Sequence, residues 1–108
     1  MSELNEVLQS TGSDAKELVK QTLIALIDSA KNDVEPIAKE TAKKVELWVK
    51  MRALGEIDSD ELEALLNARR RTVRQFLNTQ EIKVRARLES LTLGLVDLVL
   101  NKAIGLLF

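Results

Sequence analysis

Ile57-Asp58-Ser59-Asp60-Glu61-Leu62 is the stretch on which the fold turns. Asp58 offers a carboxylate to the orphan N–H groups of a helix's first turn, and Glu61, three residues on, reaches back to the Asp58 N–H. Ile57 and Leu62 flank this capping box at the positions of a hydrophobic staple. A helix therefore begins at residue 58. Just upstream, Gly55 is placed to end a different helix, because glycine enters the left-handed conformation of a helix C-terminus without steric cost. Residues 36–77 thus contain a helical hairpin.

Working back from Gly55, Ile37, Thr41, Ala42, Val45, Trp48, Val49 and Arg52 form one stripe of a helix spanning 36–54. Glu40–Lys44 and Glu46–Lys50 stand four apart in the favourable orientation. Pro36 suits the first turn of that helix and disfavours helical geometry at Glu35, so a break is expected at 33–35. Before it, Leu18, Val19, Leu23, Leu26, Ile27 and Ala30 recur at helical steps and predict a helix over 14–32. Ser13 is its expected N-cap. Residues 1–12 form an N-terminal segment in which 2–9 suit a short frayed helix.

Downstream of the capping box there is no proline, and the next glycine is Gly94. Leu62, Leu66, Val73, Leu77, Val84, Leu88, Leu91, Leu95 and Leu98 follow steps of three and four, with Arg69 and Gln80 filling two of them. This predicts one long helix over 58–105, apolar from 88. The alternative is a kink or break near 78–81, where Asn78-Thr79-Gln80-Glu81 resembles an N-cap with a glutamate three residues on. The expected fold is all-α: a helical hairpin plus a long C-terminal helix, bundle or coiled-coil-like, in one domain over 1–108.

Composition agrees. The chain has 108 residues, 45% apolar and 31% charged, with one Pro and no Tyr, and is rich in helix formers. Cys and His are also absent, which removes disulfides, thiol chemistry, the commonest metal ligand and the commonest general base. Asp58, Asp60, Glu61 and Glu63 cluster, but capping and the helix dipole explain them. The glycines are isolated and make no phosphate loop. Neither an enzyme nor a catalytic, cofactor or metal site is expected, nor a small-molecule substrate. The acidic, polar start, Met1–Glu6, predicts no secretory leader, and a cytoplasmic location is expected.

Two features point to binding. The first is the segment 91–108, with twelve apolar side chains. Apolar surface removed from water is worth roughly 25 cal/mol per Å², so such a segment needs cover. Its polar stripe, Ser90, Gly94, Asp97, Asn101 and Gly105, is narrow. Asp97, Asn101 and Lys102 interrupt a run shorter than the roughly 20 residues of a membrane span. Cover is expected from a homo-oligomer or a helical protein partner, through Val84, Leu88, Leu91, Leu95, Leu98, Ile104, Leu107 and Phe108. The chain's own core and a membrane or granule surface are the alternatives.

The second feature is charge in blocks: residues 55–67 carry a net −5 and residues 68–88 a net +6, in a chain of net charge −1. Arg70, Arg74 and Arg85 share one helix side and are the candidates for anion binding or charge pairing. A nucleic-acid-binding accessory role would use this segment, but no aromatic residues interleave it for base stacking. Pairing with the acidic blocks, with Glu81–Arg85 as a local pair, is the simpler expectation. Arg69 and Arg87, within the apolar seam, suggest interhelical ion pairs that set register.

Overall fold

A computed structural model of the chain describes Leu8 and residues 14–108. It contains α1 (Asp14–Lys31), α2 (Pro36–Ala53), α3 (Ser59–Leu77) and α4 (Ile82–Leu98). A π-helical turn, Val99–Ala103, and a last α-helical turn, α5 (Ile104–Leu107), extend α4. No strand occurs among the described residues. The fold is all-α, and the short links between helices make neighbours antiparallel, an up-down-up-down bundle. The expected Ser13 cap and the helix over 2–9 lie outside the described residues, apart from Leu8, which is buried.

Local chemistry sets most of the ends. Pro36 occupies the start of α2, after Glu35 in extended geometry. At the other end of α2, Gly55 has φ +79°, its N–H donates to Arg52 O at 3.1 Å, and the Glu56 N–H donates to Met51 O at 2.8 Å. These two bonds are a Schellman motif, which satisfies carbonyls the helix leaves open. The capping box of α3 closes in both directions: the Glu61 N–H donates to Asp58 Oδ1 at 2.7 Å, and the Asp58 N–H to Glu61 Oε1 at 3.1 Å. Leu62 is fully buried and Ile57 packs against the core, as a staple requires.

The continuous helix expected over 58–105 is not formed. The chain reverses between Leu77 and Ile82, and α4 packs back along α3. The reversal lets Leu88, Leu95, Val96, Val99 and Ala103 become fully buried in the chain's own core, alongside Leu62, Leu66 and Val73 of α3. Burial of that face outweighs the helix preference of four link residues that include neither Gly nor Pro.

α4 contacts α1, α2 and α3, so it touches α2 across the bundle's diagonal as well as its two neighbours. Small side chains permit this approach: Ala38, Thr41 and Ala42 on α2, with Thr92 and Ala103 on the C-terminal rod, are all fully buried. The buried Thr92 hydroxyl donates to Leu88 O at 2.6 Å within its own helix. The π turn explains a feature of the sequence. Leu91, Leu95, Val99, Ala103 and Leu107 are spaced by fours throughout, and each such step advances about 40° around a 3.6-residue helix. Winding extra residues into one turn cancels part of that drift, and both Val99 and Ala103 stay inside.

Candidate functional site

The C-terminal rod divides the residues expected at an interface into two sets. Leu88 and Leu95 are fully buried against α1–α3, and Val84, Leu91, Leu98, Ile104, Leu107 and Phe108 are half-buried around the same core. The apolar terminus therefore folds onto its own chain and still leaves apolar surface at its end. Antiparallel order puts the start of α1, the link 54–58 and α5 at one end of the bundle. There Leu18 is 68% exposed, Leu54 54% and Leu106 37%. These three were missed as site residues. Leu18 and Leu54 sit among charged neighbours, and exposure of a leucine is decided by which helix packs beside it, which a single helix's periodicity does not give.

Arg52 fastens this end. Its Nε donates to Ser59 Oγ at 3.0 Å, and its guanidinium carbon lies 5.1 Å from the centroid of the Phe108 ring. A cation over an aromatic face is attracted by the ring quadrupole. Phe108 is thereby held against the C-terminal end of α2, beside the α2–α3 link.

Three members of the basic run, Arg69, Arg70 and Arg87, are engaged inside the chain. Arg69 is buried, and its Nε and Nη2 donate to Thr41 Oγ1 at 3.1 and 3.0 Å. Glu40 Oε1 lies 3.9 Å from its Nη1. Burial holds the Arg69 pKa below its ordinary value, and the charge of Glu40 opposes that shift. Arg87 Nη1 donates to Asp33 Oδ1 at 2.7 Å, and Asp33 Oδ2 accepts from the Glu35 N–H at 2.9 Å, so one carboxylate ties the α1–α2 link to α4. Within the one chain, Arg69 of α3 thus contacts α2, and Arg87 of α4 contacts the α1–α2 link. Glu46, expected to pair along α2, reaches Lys31 of α1 at 3.1 Å.

Of the three charge-pairing candidates, Arg70 and Arg74 line an open groove of about 590 Å³ between α3 and α4, with Glu89, Ser90, Gly94 and Asp97. Arg70 Nε is 3.4 Å from Asp97 Oδ1, near enough for an ion pair but not aligned for a hydrogen bond. Arg85, half-buried on the first turns of α4, is not part of this lining. The expected Glu81–Arg85 side-chain pair is not among the ion pairs of the described residues, and Glu81 is instead the N-cap residue of α4. Charges of both signs face the groove, so its chemistry does not select an anion.

Ile82–Leu107 is long and apolar enough to cross a membrane, with a mean hydropathy of 1.6 in its most apolar window and a third of that window buried. The central helix of a soluble bundle meets the same criteria. Comparison with family models, curated proteins and solved structures gives no match.

Proposed function

We propose that the protein is a non-enzymatic assembly module, a helical bundle that self-associates through its C-terminal rod. One observation carries the reading: the end of the bundle where α5 terminates presents Leu18 of α1, Leu54 of the α2–α3 link and Leu106 of α5 to water. Singly exposed leucines are ordinary, but several at one end of a small bundle favour cover by another chain. An acidic sequence, Glu56, Asp58, Asp60, Glu61 and Glu63, adjoins that end. It disfavours an anionic surface there and favours a protein partner.

The test is absolute mass by light scattering after size exclusion, comparing the wild type with Leu54→Asp/Leu106→Asp. Both positions are exposed, so the fold tolerates the charges. The wild type is expected to gain mass with concentration, and the variant to stay monomeric with unchanged helical circular dichroism. Equal masses for the two would contradict the end-surface reading.

A second reading, attachment to a membrane or granule surface, is favoured by the length and hydropathy of Ile82–Leu107. It predicts that the wild type floats with anionic vesicles at low salt and that the same double variant does not. Failure of the wild type to float would remove it.

A further inference from the structure

The link between α3 and α4 reverses the chain on Asn78 and on Thr79, whose hydroxyl donates to Phe76 O at 2.7 Å, with no glycine or proline. Asn78-Thr79-Gln80-Glu81 includes neither Gly nor Pro, and the only positive φ among the described residues is at Gly55. Asn78 already has helical dihedrals, φ −64° and ψ −18°. Glu81, at φ −65° and ψ 151°, reaches helical geometry by rotation of ψ alone. α4 also begins without a side-chain cap, so its first-turn N–H groups have no such acceptor. A helix running through the link would give them carbonyl partners.

The apolar seam continues across the link: Val73, Leu77, Gln80, Val84 and Leu88 fall at steps of four, three, four and four, and each is buried or half-buried. The face of α4 that fills the core, Leu88, Leu95, Val96 and Val99, is therefore in register with that of α3 whether the chain turns at 78–81 or runs straight.

We propose that two copies associate by exchanging α4: the link straightens, α3 and α4 fuse into one helix from Ser59 to Leu107, and each α4 packs on the α1–α3 of the other copy. Exchange of an identical element is a low-cost route to a dimer, because the contacts of the closed chain are re-formed between chains. The Arg70–Asp97 ion pair and the packing of Leu88, Leu95 and Val99 are all retained in this way. The proposal rests on the self-association reading and specifies its route. It makes the core face of α4 the interface between chains, an interface other than the exposed end, so an exchanged dimer keeps its mass in Leu54→Asp/Leu106→Asp.

Ile82→Pro tests it. Residue 82 is the first position of α4, where proline is well accommodated, and Glu81 before it already holds the extended geometry that proline favours. The Ile82 side chain is 76% exposed, so little packing is removed. Proline within a continuous helix, by contrast, removes a hydrogen bond and clashes with the preceding turn. Ile82→Pro is expected to remain folded and become monomeric at concentrations where the wild type is dimeric. An undiminished dimer would overturn exchange.

A second measurement does not depend on that variant. The chain has no Cys, so Glu63→Cys/Lys102→Cys, both exposed, takes two spin labels cleanly. Labelled chain diluted into excess unlabelled dimer reports one chain's own distance. Exchange predicts roughly 60 Å, from 1.5 Å of rise per residue. Labels on adjacent helices about 10 Å apart would report a closed hairpin. A short distance in the dimer would overturn exchange and leave self-association standing, and a wild type that is monomeric throughout would overturn both.

Discussion

Arg69 places a charged group where the seam calls for an apolar one, and its surroundings decide what a substitution does. Its guanidinium has two hydrogen bonds to one hydroxyl and a distant carboxylate. Thr41→Val removes the hydroxyl and strands a buried cation. It is expected to lower unfolding free energy by about 1–3 kcal/mol in urea titration, the cost of an unsatisfied buried polar group. Arg69→Met, which removes the charge and keeps the length, should be neutral or stabilising, as replacements of buried charges by apolar residues often are. The lowered Arg69 pKa fixes the sign of its pH effect. At neutral pH both folded and unfolded states hold the proton, so the desolvation cost does not vary with pH there. Stability gains from this group only in the alkaline range, where the folded chain releases the proton first. A stability profile through neutrality should thus be unchanged in slope by Arg69→Met. At the α2–α3 link, Gly55→Ala forces a side chain into left-handed geometry and should cost about 1–2 kcal/mol. The same titration checks it.

Elements whose ends are set by adjacent residues were legible in the sequence. The Asp58–Glu61 box, the Gly55 stop and the Pro36 start all act within a few residues of chain, and each helix end falls where they put it. The α3–α4 reversal was legible only as the alternative to a continuous helix, a break near 78–81, because its cause is not in the link. It lies in the fit of Leu88, Leu95, Val96 and Val99 between α1, α2 and α3, which only the assembled bundle supplies. The buried Thr92 was missed for a related reason: its hydroxyl is satisfied by its own helix, so a polar residue fits at a core position that apolar periodicity alone does not reveal. Burial also separates two kinds of interface residue. Leu95→Ala should cost about 2–5 kcal/mol by thermal or urea unfolding, as large-to-small changes in a packed core do. Leu106→Ala should leave stability within about 0.5 kcal/mol, because its side chain is partly exposed and at the end of the rod.

At the scale of the molecule, the all-α class and the apolar terminus were readable from composition and spacing, whereas the division of that terminus between core and surface was not. The bundle measures 43 × 25 × 20 Å, and its long axis is close to the roughly 39 Å of a 26-residue helix. One rod, Ile82–Leu107, thus runs the length of the structure and takes part in every level of its organisation: core, diagonal contact and exposed end. Association through that rod is the central claim. It is tested most directly by the absolute mass of the wild-type chain, followed by light scattering across a wide concentration range. The account predicts a rise from the 12.1 kDa monomer to a discrete dimer. A mass that stays at the monomer value at every concentration would contradict it.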